Sequence, residues 1–373
     1  MKIVTIVGAR PQFIKVAPVS AALRARGDAR EVLLHTGQHY DGNMSDVFFR
    51  ELDLRPPDYN LEIGSGSHGA QTGRMLESIE KVLLTEQPDW ALIYGDTNST
   101  AAGALAAAKL HIPVAHVEAG LRSWNRQMPE EINRIVAVAI SDVLFAPTQT
   151  AVENLLREGV AAKHIVQCGD VMYDAALMFG AKAAAESSVL SDQELEPGSY
   201  ALFTLHRAEN TDHPARLRSI TTAIAEVAKS LPVVLPLHPR TRAALATLGL
   251  SLADVPGVRL LEPVGFLDMI QLERCAAVIV TDSGGVQKEA FFHRRPCVTL
   301  RDETEWVELV ETGWNRLLPP GDATRMAATI LSAVDTAGLE AAPYGDGTAA
   351  ARIAEALSLR TQPQEDAKLT ASQ

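Results

Sequence analysis

The sequence predicts an α/β protein of two domains, each built on an open parallel sheet, and three observations carry that prediction. At 373 residues the chain is longer than one hydrophobic core usually supports. Ten short apolar runs alternate with Ala- and Leu-rich helical stretches. Those runs are apolar at successive positions, as expected of strands covered on both faces by helices. A composition of 47% hydrophobic and 21% charged residues is that of a globular protein. No run approaches the roughly 20 apolar residues of a membrane span.

The predicted strands follow in order. KIVTIVG, EVLLHTG, WALIYGD, PVAHVEAG and VLFAPT make the first group, and YALFTLH, VVLPLH, VRLLEPV, VIVTDSGG and CVTLRD the second. The opening Met-Lys-Ile-Val-Thr-Ile-Val-Gly reads as the first strand, since its apolar run is too short for a signal segment. Between the groups, residues 181–199 lose β character, gain Ser and acidic residues and close on Pro197-Gly198, which predicts a helix and a surface loop. The domains are therefore drawn at 1–180 and 181–359. The polar tail 360–373 reads as a frayed end or as a segment returning to the first domain.

A net charge of −12 offers no positive field to nucleic acid, so a phosphate ligand must be held by local donors. Cys168, Cys275 and Cys297 are widely spaced and form no metal-binding pattern. They read as small core residues of a protein in the reducing cytoplasm.

In open α/β sheets, ligands sit beyond the carboxyl ends of the strands. The first strand ends in Gly8-Ala9-Arg10-Pro11-Gln12, and Lys15 follows on the first turns of a helix. Backbone N–H groups, an early Pro and two cations suit a diphosphate or nucleotide. A literal GxGxxG occurs at Gly64–Gly69, but it follows a weak strand deep inside the domain and reads as a loop before a helix from about Gln71. Asp96 ends one strand, where it could simply cap the next helix. Glu118 ends the following strand, with Arg122 close behind. Neighbouring acids repel, which can raise the pKa of one and prepare an acid/base pair. Glu130 and Glu131 open the next helix, where the dipole favours negative charge.

In the second half, His206-Arg207 and His238-Pro239-Arg240 end two strands and make an anion-facing edge. The segment Thr281-Asp282-Ser283-Gly284-Gly285-Val286-Gln287-Lys288-Glu289 passes from strand through a small-residue turn into a helix. Its backbone N–H groups and Ser283 can cradle phosphate, and Glu289 can accept ribose hydroxyls.

Taken together, GARPQFIKVAPV, TGQHYDGNM, YGDTNST, HVEAGLRS, MPEEINR, GDVMYD, TLHRAEN, PLHPRT and TDSGGVQKEA followed by TLRDETEWVE resemble the non-hydrolysing UDP-N-acetylglucosamine 2-epimerases. The resemblance runs from Lys2 to about Leu318. It implies two Rossmann-like domains in a GT-B arrangement with the active site in the interdomain cleft, a homodimer, and no cofactor or metal. Asp96, Glu118, Glu130 and His206 match the family's catalytic positions. Arg10, Ser283, Gly284, Gly285 and Glu289 match its UDP contacts, to which Lys15 and His238 are added as phosphate-side groups. Gln38 and His39, and His238 again, match positions linked to an activating second substrate molecule.

The implied chemistry is an elimination. The C2 hydrogen of a 2-acetamido sugar is not acidic, so UDP leaves C1 as C2 loses its proton, and the resulting 2-acetamidoglycal is reprotonated from the other face and recaptures UDP. Glu305-Trp306-Val307-Glu308 stands where many members have Glu-Arg-Pro-Glu. Together with Thr204-Leu205 before His206, where Gly is usual, and Gly-Ala-Arg-Pro-Gln-Phe in place of Gly-Thr-Arg-Pro-Glu, this looks more like the branch acting on UDP-2,3-diacetamido-2,3-dideoxyglucuronate. The rival readings are a GT-B glycosyltransferase and a nucleotide-sugar sensor without catalysis.

Overall fold

Alternating apolar residues bury both faces of each sheet. The computed structural model describes residues 1–38 and 46–370, and the chain divides into two units, Met1–Ala175 with the stretch from Ala342 onward, and Ala176–Ala341. Seven parallel strands make the sheet of the first unit: β1 (Lys2–Val7), β2 (Arg30–His35), β3 (Tyr59–Asn60), β4 (Trp90–Tyr94), β5 (Val114–Val117), β6 (Val143–Ala146) and β7 (Ile165–Gln167), in the order β3-β2-β1-β4-β5-β6-β7. In β1, Val4 and Ile6 enter one core with Met75, Ile79 and Leu83 of the helix His68–Glu86 and Ala102 and Ala106 of the helix Asn98–Lys109. Gly103 lets that second helix approach the sheet, because a Cβ there would meet Ile6 at 3.1 Å.

Six parallel strands make the second sheet: β8 (Ala201–Thr204), β9 (Val233–Pro236), β10 (Val258–Leu261), β11 (Val278–Thr281), β12 (Cys297–Thr299) and β13 (Asn315–Leu317), in the order β10-β9-β8-β11-β12-β13. Ala201, Phe203, Val278 and Val280 face a core with Leu217, Ile220 and Ile330. Leu202, Ile279 and Cys297 face the opposite one with Leu272 and Ala290. In both sheets the order reverses beside the first strand, at β1/β4 and at β8/β11, which opens a crevice at those strand ends.

The ten expected strands are all present, and β3, β7 and β13 complete the sheets. The helix expected from about Gln71 begins at His68, directly out of the Gly64–Gly69 segment. The largest departure from the sequence reading is at the carboxyl end. The chain rejoins the first unit from Ala342, well before the 359 boundary drawn from sequence. Of the two readings of the tail, the return to the first domain is the one that agrees with this division, and a helix spans Ala349–Thr370. That helix lies against the helix Arg10–Arg26 and buries Ile353, Ala354 and Leu357, worth about 1.5–3 kcal/mol for each large aliphatic side chain. Polar contacts fix it as well. The Asp174 carboxylate accepts from the amides of Ala349 and Ala350 at 3.2 and 2.9 Å, Ser358 donates to Asp28 at 2.8 Å, and Trp90 Nε1 donates to Thr361 at 2.9 Å. Among the described residues no helix is long and apolar enough to cross a membrane.

Candidate active site

The first unit gathers its polar groups where β1, β4 and β5 end. Gln12 replaces a conventional cap for the helix Arg10–Arg26. Its Oε1 accepts from the amides of Gly8 and Ala9 at 2.8 and 3.0 Å, and its Nε2 donates to the Tyr94 carbonyl at 2.8 Å. The β1 and β4 ends are thereby tied together, with Arg10 half-buried on the first helical turn. Lys15, one turn further along, forms an ion pair with Glu118. The sequence reading placed Lys15 on a phosphate, whereas the structure gives it this carboxylate.

Gly95 and Glu118 both take left-handed backbone conformations, with φ of 62° and 66°. For glycine this costs nothing. For Glu118 it costs about 1–2 kcal/mol, and a strained non-glycine residue at a strand end is a signal of function. The missing side chain of Gly95 makes room, since a Cβ there would stand 3.2 Å from Glu118 Oε2 and 3.5 Å from Lys15 Nζ.

Asp96 does not cap the following helix, because Thr97 does so by accepting from the Thr100 amide at 3.3 Å. The Asp96 carboxylate instead accepts from Arg134 Nε and Nη2 at 3.0 and 2.6 Å. Arg134 also donates to Glu131 at 2.8 Å. Glu131 is buried and collects the amides of Ser123 and Trp124 at 3.0 and 3.1 Å, which anchors the loop between β5 and the helix Pro129–Ile140. Burial opposes its ionisation, but the Ser123 amide and Arg134 more than offset that and hold its pKa below the ordinary value. Glu130, the residue singled out from sequence, is exposed on the first turn of that helix and makes no ion pair among the described residues. Sequence reasoning missed Glu131 and Arg134, although their i, i+3 spacing on one helix was visible. Arg122 is drawn away, with both ends of its guanidinium on Glu158 at 2.6 Å.

His116 lies beneath this edge. It is buried, and its Nε2 lies 2.7 Å from the Gly95 carbonyl. Burial lowers its pKa to about 4, so at neutral pH the ring is uncharged and donates to that carbonyl through Nε2–H. Gln38 is also buried, and its Oε1 accepts from the amide and hydroxyl of Ser99 at 3.0 and 2.7 Å. His39 lies outside the described residues.

In the second unit the ends of β8 and β11 are joined by Asp282, whose side chain is fully buried. Its carboxylate accepts from the amides of His206 and Arg207 at 3.1 and 3.0 Å and from Asn210 Nδ2 at 3.2 Å. Hydrogen bonds of this charged kind contribute about 1.5–3 kcal/mol each, and here they present His206 and Arg207 at the sheet edge. His206 Nδ1 lies 3.6 Å from Asp282. Burial lowers its pKa and Asp282 opposes that, while His238, Arg207 and Arg240 reinforce the lowering. The His206 and His238 rings stand 5.6 Å apart. His238 is exposed and caps the helix Pro239–Thr247, its Nδ1 accepting from the Arg240 amide at 3.1 Å.

Ser283 caps the helix Gly284–Phe292 by accepting from the Val286 amide at 3.4 Å. The Gly284 and Gly285 amides belong to the first turn, whose N–H groups have no partner within a helix. Glu289 is half-buried on the next turn, where burial raises its pKa and Lys288 opposes the shift. Trp306 is buried, donates from Nε1 to the Gly284 carbonyl at 2.9 Å, and has Lys288 Nζ 4.1 Å from its ring centre. The structure thus packs Trp306 onto the candidate cradle itself.

Two doubly wound sheets, one edged with carboxylates and the other with a small-residue turn opening a helix, define an α/β protein of nucleotide-binding type. The comparisons narrow that class. The family model for UDP-N-acetylglucosamine 2-epimerase matches residues 21–358, and the chain belongs to this family of isomerases. A UDP-2,3-diacetamido-2,3-dideoxy-D-glucuronate 2-epimerase from Pseudomonas aeruginosa is 52% identical over 361 residues, covering 96% of this chain and 99% of that one. The crystal structure of the Methanocaldococcus jannaschii UDP-GlcNAc 2-epimerase in complex with UDP-GlcNAc and UDP matches with a TM-score of 0.85 at 44% identity, covering 96% of this chain and 100% of that one. The Neisseria meningitidis UDP-GlcNAc 2-epimerase bound to UDP-GlcNAc matches with a TM-score of 0.84 at 32% identity, covering 96% and 99%.

Proposed function

We propose that this chain epimerises a UDP-linked 2-acetamido sugar at C2, without hydrolysis, by eliminating UDP to a 2-acetamidoglycal and adding it back. The observation that carries the proposal is the strained Glu118 carboxylate, paired with Lys15 over Gly95 and followed around the same edge by Asp96 on Arg134. Carboxylates at adjacent strand ends can remove a proton from one face of C2 and return one from the other. Asp96, Glu118 and Glu130, with His206, form the acid/base set, and coupled carboxylates titrate as a set rather than one by one. Arg10, Ser283, Gly284, Gly285, Glu289 and His238 hold UDP, whose departure from C1 needs donors on the diphosphate. Gln38 and His39 are assigned to an activator site.

UDP-N-acetylglucosamine is the substrate that the family model and the ligand-bound relatives support. UDP-2,3-diacetamido-2,3-dideoxyglucuronate is favoured by a separate observation, the 52% identity to the Pseudomonas enzyme across nearly the whole of both chains. The test is NMR in D₂O with each UDP-sugar alone. Exchange at C2 together with a UDP-linked epimer is the expected result, and the sugar that exchanges names the substrate. Release of free sugar and UDP with no UDP-linked epimer would refute the proposal. The same reading includes a cytoplasmic homodimer, expected from light scattering at twice 40.1 kDa.

A further inference from the structure

The amino end of the helix Gly284–Phe292 already faces an anion that belongs to the chain. A Cβ placed on Gly284 would stand 2.6 Å from Glu305 Oε1 and 3.6 Å from Arg207 Nη2. The position of this carboxylate follows from its neighbours on both sides. Thr304 donates to Gln287 Oε1 at 2.7 Å and Trp306 donates to the Gly284 carbonyl at 2.9 Å, so residues 304–306 strap the helix with Glu305 between the two fastenings. Glu305 Oε2 accepts from Arg301 Nη1 at 2.8 Å. The Arg301 guanidinium is more than nine-tenths buried, and its Nε has no hydrogen-bond partner among the described residues. An ion pair with one carboxylate therefore leaves donor capacity unused in a place where burial makes that costly.

We propose that Glu305 is a resident anion of the phosphate cradle, and that UDP binds by displacing its carboxylate, so that Arg207 and Arg301 pass from Glu305 to the diphosphate. This rests on the assignment of UDP to this helix terminus made above. It explains why a site for a dianion carries a carboxylate: Glu305 pairs with Arg301 and stands beside Arg207 and the helix terminus, which partly offsets their positive charge while Arg301 Nε keeps a donor in reserve, and the same group weakens the hold on UDP. Burial opposes ionisation of Glu305, but Arg301, with Arg207, overcomes it and lowers the pKa, so Glu305 remains a competing anion at neutral pH.

Titration calorimetry on the full chain, with UDP and with uridine, tests the inference. Glu305→Gln keeps the shape and removes the charge, and the Kd for UDP should fall about tenfold or more while that for uridine stays within about twofold, since uridine brings no competing anion. Glu305→Asp draws the carboxylate back by one methylene and should tighten UDP by a smaller factor, which keeps the test available should the Gln variant fail to fold. UDP bound no more tightly by these variants than by the wild type would overturn the proposal and leave Glu305 as an ordinary partner of Arg301. Failure of the wild-type chain itself to bind UDP would instead strike the assignment on which the proposal rests.

Discussion

The two strand-end edges distribute charge in opposite ways. In the first unit the two strand-end carboxylates are each ion-paired, Glu118 with Lys15 and Asp96 with Arg134, which Glu131 shares. In the second, one fully buried carboxylate, Asp282, supports His206 and Arg207 from below, with His238 and Arg240 nearby. The first edge is locally balanced and its acids are fixed in position, which suits proton transfer at a carbon. The second presents His206, Arg207 and a helix terminus, which suits an anionic leaving group once the Glu305 carboxylate gives way. The contrast teaches that the overall charge of −12 says little about either edge, because each is set by partners within a few ångströms.

The sharpest way to break this contrast is to neutralise one acid of the first edge. Glu118→Gln should lower the rate of C2 exchange by about a hundred- to ten-thousandfold, the usual contribution of a positioned acid or base. UDP affinity should stay within about twofold if the two edges divide the work as described. Calorimetry beside the NMR exchange assay reads both quantities, and a large loss of UDP binding with exchange intact would reverse the assignment.

Acid should expose what the two units share. His116 in the first unit is buried and the His293 side chain in the second is only 6% exposed, and burial of the rings lowers both from the ordinary 6.5 to about 4. Each ring takes up a proton on unfolding across that window while staying neutral when folded. The stabilisation is therefore full above pH 6.5 and is lost as the pH falls toward 4, by as much as ~3 kcal/mol per ring. Melting temperatures measured from pH 7.5 to 4.5 should fall, and the fall should be shallower in His116→Gln. An unchanged slope in that variant would mean that the ring is already charged in the folded unit.

Asp282→Asn tests the second edge with a smaller expected effect. A neutral amide cannot satisfy two backbone N–H groups and Asn210 as a carboxylate does, so stability should drop by about 2 kcal/mol and the Kd for UDP should rise about tenfold. Urea unfolding and calorimetry measure the two. A stability loss with UDP affinity intact would show that Asp282 holds the strands together without presenting His206 and Arg207.

Much of this was legible in the sequence, for physical reasons. A strand buried on both faces must be apolar throughout, so KIVTIV and VIVT announce themselves, and the rule that ligands meet strand ends leads directly to Asp96, Glu118 and Ser283. The short edge strands bury little, so β3 showed only as the weak strand before Gly64 and β7 and β13 left no pattern. Periodicity shows that a helix has an apolar face without naming its partner, so the return of the helix Ala349–Thr370 to the helix Arg10–Arg26 stayed hidden. The difference between Glu130 and Glu131 is a rotation of about 100° on one helix, and only the packed structure shows which of the two meets Arg134 and the Ser123 loop.

Trp306 gives the finest test, because the strap it closes lies on the second edge. Trp306→Phe keeps an aromatic ring under Lys288 and removes the Nε1–H donated to Gly284. Losing that bond should cost about 1 kcal/mol of stability. If the strap serves to hold Glu305 over the cradle, loosening it weakens the competitor, and UDP should bind about two- to threefold more tightly despite the less stable fold. If Trp306 instead supports the cradle directly, the same change weakens UDP binding. Thermal melting confirms that the bond has been lost, and the sign of the change in Kd then shows whether residues 304–306 restrain the nucleotide site or help to build it.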